Sequence, residues 1–312
     1  MEKYVIGMDG GGTGTTVLLA DMHANKKQRF AAGALNVNGQ SEQDVLKTFT
    51  EISYRAASMG YKKEDCQGIC IGTAGISNMA AKEFIKKSAA AFTFSDNIKI
   101  VGDHEAALAG AVGSRTGIIV IAGTGSICFG VDREGNSYRS GGYGHLIDDV
   151  GSGYAIARDI LTNVIRAHDR RRPATVLTQL VFDALKIQEI EELIEYIYDS
   201  RRNKKEIAAL SVLLTQAVKC EDEAAVGIVL KSARDLVELT GSVIEQVGKE
   251  ATLAVSGSVL LNNKEIYSTF RRELFCRYPD IKVIKPKEEA AYGAVKIILD
   301  SFAAGNGVRA DR

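Results

Sequence analysis

A strand, bend, strand pattern occurs twice in this chain, and this repetition constrains the fold more than any other feature. The first copy, Tyr4 to Asp21, reads YVIGMDGGGTGTTVLLAD: an apolar run, a glycine-rich bend and a second apolar run that ends at an aspartate. From Gly117 the segment GIIVIAGTGSICFGVDREG repeats that order. Self-similarity of this kind indicates an internal duplication. The sequence therefore predicts two related domains.

Elsewhere in the chain, short apolar runs alternate with segments of helical spacing. Ser41 precedes one such helix, which ends near Gly60, and the strand-like run IKIVGD leads into the helix HEAALAGA. Strands that alternate with helices indicate an α/β fold. We expect an N-terminal α/β lobe over residues 1–115, with the C-terminal helix 288–303 as a candidate addition to it. A C-terminal lobe over residues 116–287 should carry a helical insertion at about residues 155–250.

The charge balance and the apolar runs exclude several classes of protein. Lys plus Arg and Asp plus Glu each number 39, so there is no broad basic field for nucleic acid or an anionic membrane. The apolar part of MEKYVIGMD is too short for a secretory signal, and no run approaches the ~20 residues that span a bilayer. Five scattered cysteines do not suggest a disulfide framework. These features predict a cytoplasmic protein with reduced thiols.

The two glycine-rich bends do not match the familiar nucleotide motifs. Neither bend is the G-x-x-x-x-G-K-[S/T] loop or the G-x-G-x-x-G fingerprint, both of which open a helix. The first bend is instead followed by the β-branched and aliphatic run TTVLLAD, which predicts a hairpin. Glycines at a hairpin tip let backbone amides approach phosphate oxygens, and Thr or Ser adds a hydroxyl donor. Two copies favour phosphate binding over ordinary turns, with the candidate residues Gly11, Gly12, Thr13, Thr124, Gly125 and Ser126.

Asp103 is the candidate general base. Phosphoryl transfer requires positioning, charge neutralisation and a base for the acceptor hydroxyl. Asp103 follows the strand IKIVG and begins a helix, so its carboxylate should lie at the carboxyl end of a strand, where α/β proteins bind ligands. The alternative is that Asp103 only caps the helix. The basic runs Arg170 to Arg172 and Arg201 to Lys205 are interpreted as solvated turns.

The paired hairpins resemble the superfamily of acetate and sugar kinases, heat-shock chaperones and actin. Its phosphate-1, phosphate-2 and adenosine motifs match IGMDGGGTGT, VIAGTGS and LAVSGSV. The resemblance implies two duplicated ribonuclease H-like lobes with an interlobe cleft that binds ATP, and adenosine next to Gly257 and Ser258. It also implies Mg²⁺ held by Asp9 through water, which suits a hard cation that keeps most of its hydration. A turn aspartate and an ordinary strand-to-helix glycine are the alternatives for Asp9 and Gly257.

Over nearly the whole chain, the sequence resembles the N-acetylglucosamine kinases and their relatives in the BadF/BadG/BcrA/BcrD ATPase family. The matching segments include DGGGTGTTVLLAD, GALNVNG, GTAGIS, GDHEAALAGA and GGYGHLIDDVGSGYAIA. By this resemblance the residues that bind the sugar are Asn36, Thr73, Gly142, Tyr143 and Asp149, next to the base Asp103. Ile127, Ser140 and Tyr143 depart from the animal enzymes, which carry Asn, Cys and Trp there, so the identity of the sugar stays open.

The resemblance implies a kinase that uses ATP and Mg²⁺ to phosphorylate an amino sugar at its 6-hydroxyl. N-acetylglucosamine is the first candidate, with N-acetylmuramic acid and glucosamine as alternatives. A different function is an ATPase that activates a reductase or dehydratase through an iron–sulfur cluster, which needs thiolate ligands; Cys128 is the nominal ligand and has no evident partner. A nucleotide-gated regulator is a third reading. We expect no nucleic acid or membrane partner, and a homodimer stays open.

Overall fold

The computed structural model describes residues 2–25, 27–35, 40–74, 78–92 and 95–307, and it divides into two compact units. Unit 1 consists of the residues up to Gly117 together with those from Pro286 onward. Unit 2 consists of Ile118–Lys285. The chain therefore leaves unit 1 once, builds unit 2, and returns to unit 1 with its last helix.

Unit 1 is built on a five-stranded sheet with the order β3-β2-β1-β4-β5. The first three strands form an antiparallel meander, whereas β4 is parallel to β1 and β5 is parallel to β4. The strands are β1 (Tyr4–Gly10), β2 (Thr15–Asp21), β3 (Lys27–Ala32), β4 (Cys66–Thr73) and β5 (Ile98–Gly102).

Two pairs of helices contribute to the two apolar clusters of unit 1. Side chains of α1 and α2, among them Phe49 and Ile85, pack with Tyr4 and Ile71 of the sheet. Side chains of α3 and α12 form a second cluster with Val5 and other strand residues. The helices are α1 (Glu42–Ser58), α2 (Met79–Phe92), α3 (Asp103–Val112) and α12 (Ala290–Gly307), and a short 3₁₀ turn spans Lys63–Asp65.

Unit 2 repeats the sheet of unit 1. Its order is β10-β9-β6-β7-β8, in which β9 is parallel to β6 and to β10, and β7 and β8 are antiparallel. Read from the meander, both sheets have the order third, second, first, fourth and fifth strand. The predicted α/β class and internal duplication are confirmed by this order. The strands are β6 (Gly117–Ala122), β7 (Ser126–Val131), β8 (Ser137–Gly141), β9 (Thr252–Ser256) and β10 (Lys282–Ile284).

The connections between strands differ more than the sheets do. Unit 1 has α1 and a 3₁₀ turn between β3 and β4, whereas unit 2 has six helices between β8 and β9. Their apolar faces form one cluster with β6, β7 and β9, and α9 supplies the largest share, including Leu236 and Val243. The helices of unit 2 are α4 (Gly153–His168), α5 (Leu177–Leu185), α6 (Ile190–Tyr198), α7 (Lys204–Ala208), α8 (Leu213–Lys219), α9 (Glu223–Val247), α10 (Ser258–Asn262) and α11 (Lys264–Arg277), with a 3₁₀ turn at Ala209–Val212. In the described part of the chain, no helix has both the length and the apolar character needed to cross a bilayer.

Candidate active site

The phosphate-1 hairpin of unit 1 is a tight turn between β1 and β2. Gly10 and Thr15 form the last pair of the ladder, and the amide of Gly11 donates to the carbonyl of Gly14 over 2.9 Å. A Cβ at Gly11 would come within 3.0 Å of that carbonyl oxygen, so a glycine keeps the turn closed. Gly12 and Thr13 lie exposed at the tip. The predicted hairpin is present, and its predicted phosphate ligands are accessible.

Three strand ends bring the predicted unit 1 residues to one edge of the sheet. In the parallel register Gly10 is opposite Thr73, and Thr73 is opposite Gly102. Asp9 therefore lies one residue before this line and Asp103 one residue after it. Thr73 is fully buried at the end of β4. The structure thus groups Asp9, Thr73 and Asp103 beside the phosphate-1 hairpin, while Asn36 lies outside the described residues.

Asp103 is exposed and is not the cap of its helix. The N-cap of α3 is Gly102, whose amide donates to Oε1 of Glu105 over 2.9 Å. Oδ1 of Asp103 accepts the amide of His104 at 2.9 Å and lies 3.2 Å from Nδ1 of that ring. The Asp103 side chain is 51% exposed. The alternative reading of Asp103 as only an N-cap is therefore wrong, and its role as a base stays a prediction.

Asp9 lies in a negatively charged environment. Burial, together with the charges of Asp103 and Glu289, raises the pKa of Asp9 to about 6. Glu289 itself is paired with Arg29, whose Nε lies 2.9 Å from its Oε1. Within the described residues, no group of three His, Cys, Asp or Glu is arranged to hold a metal ion. A single half-buried carboxylate with like charges nearby nevertheless fits Mg²⁺ that takes its other ligands from water and phosphates.

The phosphate-2 hairpin of unit 2 is held by hydrogen bonds from the first residues of α4. The amide of Gly153 donates to the carbonyl of Gly123 over 2.7 Å, and the amide of Tyr154 donates to that of Thr124 over 3.3 Å. The hydroxyl of Ser126 donates to the carbonyl of Val150 over 2.6 Å. This contact engages the hydroxyl that is predicted to bind a phosphate. In this structure Ser126 ties the hairpin to the loop between β8 and α4.

Asp149 is the central residue of that loop. Its Oδ1 accepts the amide of Ser126 at 3.2 Å, and its Oδ2 lies 2.6 Å from Nζ of Lys204. Its φ of 61° is in the left-handed region, which is uncommon outside glycine. The predicted sugar ligand is thus almost fully buried and already has two partners, although a carboxylate can accept further hydrogen bonds.

Gly142 and Tyr143 begin the same loop. Gly142 has a φ of 75°, and the Tyr143 ring is 66% exposed. The Arg139 guanidinium lies 4.7 Å from the centroid of this ring, and its Nη2 donates to the carbonyl of Gly142 over 2.6 Å. Tyr143 is therefore not a core residue. An exposed ring backed by a cation can cover the apolar face of a ligand.

The predicted adenosine residues lie in the turn after β9 of unit 2, and one of them lines a cavity. Gly257 has a φ of 87°, and a Cβ there would overlap the backbone of Ala122. Ser258, the next residue, lines a cavity of about 180 Å³. Its other lining residues are Ile156, Ser211, Val212, Thr215, Val259, Asn262 and Asn263. The turn after β9 therefore approaches the strand that leads into the phosphate-2 hairpin.

Sequence reasoning missed two charged residues near these positions. The basic run Arg201 to Lys205 was expected to be solvated, but Lys204 contacts the buried Asp149. Glu289 falls within the helix expected at residues 288–303, and its negative charge helps to raise the pKa of Asp9. Neither interaction can be recognised from the local sequence, because each partner comes from a distant part of the chain.

The cysteines bear on the iron–sulfur alternative. Cys128 is fully buried, and burial raises the pKa of its thiol well above the usual range. Burial also raises the pKa of Cys66 to about 11 and that of Cys70 to about 12. Because a cluster is bound by thiolates, these three thiols are poorly suited as ligands.

The protein belongs to the class of duplicated α/β folds that carry a glycine-rich hairpin in each copy. Within it the chain belongs to the BadF/BadG/BcrA/BcrD ATPase family, whose family model matches residues 6–297.

This chain is similar over nearly its whole length to two named proteins and to one solved structure. It is 37% identical to the N-acetylmuramic acid/N-acetylglucosamine kinase of Clostridium acetobutylicum, over 95% of this chain and 98% of that protein. It is 29% identical to the N-acetyl-D-glucosamine kinase of Dictyostelium discoideum, over 96% and 99%. A crystal structure from Chromobacterium violaceum, described as a candidate N-acetylglucosamine kinase, has a TM-score of 0.77 at 23% identity, over 96% and 99%. The last similarity concerns the fold alone.

Proposed function

We propose that this chain is an ATP-dependent kinase that phosphorylates an amino sugar. The observation that carries the proposal is the grouping of Asp9, Thr73 and Asp103 at one sheet edge, beside the phosphate-1 hairpin. This edge combines a candidate metal ligand, a candidate base and a phosphate loop, which are the parts that phosphoryl transfer requires. The two named relatives, each an amino sugar kinase by its name, support the same conclusion.

The phosphates of the nucleotide would be bound by backbone amides and hydroxyls of the glycine-rich hairpins. In unit 1 these would come from Gly11, Gly12 and Thr13, and in unit 2 from Thr124 and Gly125. Ser126 would support them from the protein side, because its amide donates to Asp149 and its hydroxyl to Val150. The adenosine would lie next to Gly257 and Ser258, the second of which lines a cavity. Mg²⁺ held by Asp9 through water would neutralise the charge that develops on the transferred phosphoryl group.

Asp103 would accept the proton of the attacking sugar hydroxyl, for which we propose the 6-hydroxyl. Its carboxylate is exposed, and its helix is capped by neighbouring groups, so the cap does not require Asp103. A base placed in this way typically accelerates a reaction by ~10²- to 10⁴-fold. The remaining sugar contacts would come from Asn36, Thr73, Gly142, Tyr143 and Asp149.

N-acetylglucosamine is the proposed acceptor, with N-acetylmuramic acid and glucosamine as alternatives. The relative from Clostridium acetobutylicum is named for the first two sugars, which supports testing both. We also propose a cytoplasmic location, where ATP is available.

The first test measures ADP release with Mg²⁺ and ATP in the presence of N-acetylglucosamine, N-acetylmuramic acid, glucosamine, N-acetylmannosamine or glucose. We expect an amino sugar to stimulate ADP release well above the rate without sugar. Positional analysis of the product by NMR then identifies the phosphorylated hydroxyl. If no sugar changes the basal rate, the acceptor site has been misassigned and the chain is an ATPase or a regulator.

The matched variant is Asp103→Asn. Because Gly102 and Glu105 form the cap, the substitution should change the free energy of unfolding by less than ~1 kcal/mol. Turnover should fall by ~10²- to 10⁴-fold, with ATP affinity retained. A folded Asp103→Asn enzyme with wild-type turnover would show that Asp103 is not the base.

A further inference from the structure

A partly buried ion pair joins α7 to the loop that contacts the phosphate-2 hairpin of unit 2. Nζ of Lys204 lies 2.6 Å from Oδ2 of Asp149, and the two residues are 55 positions apart. The Asp149 side chain is 4% exposed and that of Lys204 is 30% exposed. The carboxylate is therefore shielded from water, and Lys204 is its cationic partner.

Asp149 touches the hairpin at two points. Oδ1 accepts the amide of Ser126 at 3.2 Å, which fixes the first residue of β7. The carboxylate also packs on Gly125, where an added Cβ would lie 2.9 to 3.1 Å from its atoms. Gly125 is one of the proposed phosphate ligands, and Ser126 follows it directly in the hairpin. The position of this part of the hairpin thus depends on the Asp149 side chain.

Lys204 lies in α7, a short helix that is held in place by its cap and by contacts with α4. It is the first residue of α7, and the Asn203 side chain caps that helix by accepting the amides of Lys205 and Glu206. Behind it, Ala208 and Ser211 pack against Gly153 at the start of α4. The Lys204 side chain therefore approaches Asp149 from a helix that is fixed to the same loop and hairpin.

The charge of this pair matters if the hairpin binds phosphates. An unpaired carboxylate in contact with Gly125 and Ser126 would repel the anionic phosphates, and the low dielectric of a buried site would strengthen this repulsion. A lysine at 2.6 Å neutralises that charge while leaving the hydrogen bond to Ser126 in place.

We propose that Lys204 is a positioning residue for ATP. It neutralises Asp149, which holds Gly125 and Ser126, and so allows phosphates to approach the phosphate-2 hairpin. The inference rests on the proposed binding of ATP by this hairpin. It assigns to the helical region of unit 2 a part in nucleotide affinity, in addition to any part of Asp149 in sugar binding.

The test measures the affinity of the full-length protein for Mg²⁺–ATP by calorimetry, without sugar. Lys204→Met should weaken ATP binding by about 10- to 100-fold, because it leaves one uncompensated charge near the phosphates. Lys204→Arg, which retains the charge, should stay within about threefold of wild type. Lys205→Met, which removes an exposed charge from the same helix, serves as the control and should leave the affinity unchanged.

The Asp149→Asn variant shows whether Lys204 acts by neutralising the charge of Asp149 or only by supporting the local structure. With the negative charge removed, loss of Lys204 should matter little, so Lys204→Met/Asp149→Asn should bind ATP within about threefold of Asp149→Asn alone. This comparison remains available if Lys204→Met does not fold. A Lys204→Met protein that binds ATP as tightly as wild type would overturn the proposal, as would a double variant much weaker than Asp149→Asn.

The outcome for wild type separates this inference from the proposed function. ATP binding that depends on Lys204, without phosphorylation of any sugar, would support the inference and contradict the kinase. Sugar phosphorylation, together with an ATP affinity that does not depend on Lys204, would support the kinase and contradict the inference. Wild-type protein that binds no ATP would overturn both.

Discussion

Gly257 lies directly against Ala122, so closely that a Cβ at position 257 would overlap the carbonyl group of Ala122. Its φ of 87° is also one that other residues rarely adopt. Gly257→Ala should therefore lower the free energy of unfolding by ~1–3 kcal/mol. ATP affinity should fall as well, because Ala122 leads directly into the phosphate-2 hairpin. Urea unfolding and calorimetric titration with ATP measure the two effects.

The control for this change is Gly227→Ala in α9. An added Cβ at Gly227 would meet no atom within 4 Å, and the residue is exposed inside a long helix. Alanine is favoured over glycine there by ~0.8–1 kcal/mol, so Gly227→Ala should raise stability and leave ATP affinity unchanged. Equal urea midpoints for Gly257→Ala and wild type would show that the close approach to Ala122 has no energetic importance.

Gly293 tests the packing of the last helix against α3. Helix propensity alone predicts that Gly293→Ala stabilises the protein, since the residue lies within α12. A Cβ at Gly293, however, would overlap the backbone of Ala106 and Gly110. We expect the steric effect to dominate, with a loss of ~1–3 kcal/mol in thermal unfolding. A higher melting temperature would mean that α12 can move away from α3 without cost.

The sequence predicted the features that depend on local pattern. The glycine bends and the β-branched residues after them indicate hairpins, and the repeat of that pattern indicates the duplicated sheets. Asp103 follows a strand, so the rule that ligands bind at strand carboxyl ends was enough to place it at the sheet edge.

The contacts that the sequence did not predict join distant segments. Lys204 and Asp149 are 55 positions apart, and Arg29 and Glu289 are 260 apart. A lysine in a basic run has the same local pattern whether it points into water or toward a buried carboxylate. Only the packing of α7 on α4 decides between these two outcomes for Lys204.

Tyr143 should affect the sugar and not the fold. Its ring is exposed and is backed by the Arg139 guanidinium, so it is available to cover a sugar face. Tyr143→Ala should raise KM for the amino sugar by ~10-fold, the equivalent of about 1.4 kcal/mol of lost contact. KM for ATP and the melting temperature should stay near wild type.

Tyr198→Ala is the matched control, because Tyr198 is 83% exposed at the end of α6. Both variants remove one exposed ring, and we expect Tyr198→Ala to leave both KM values unchanged. Identical sugar KM values for the two variants would remove Tyr143 from the sugar site.

Asp9 should make stability depend on pH in a defined direction. Burial, with the charges of Asp103 and Glu289, raises its pKa from 3.8 to about 6, so the folded protein binds this proton more tightly than the unfolded chain does. Between about pH 4 and pH 6 the folded state therefore holds more protons at this site, and the contribution of Asp9 to stability falls as pH rises. A difference of roughly two pKa units corresponds to at most about 3 kcal/mol.

Asp9→Asn removes this titration. Its gain in unfolding free energy over wild type should be small near pH 4, grow up to about pH 6 and stay constant above that pH, at a limit of ~2–3 kcal/mol. Urea unfolding is measured with a chelator present, because Mg²⁺ would favour the charged form of Asp9. The same variant should lose Mg²⁺-dependent phosphoryl transfer. If the difference in unfolding free energy between Asp9→Asn and wild type did not change between pH 4 and pH 7, the pKa of Asp9 would be that of a solvated carboxylate. The electrostatic reason for placing a cation beside Asp9 would then be lost.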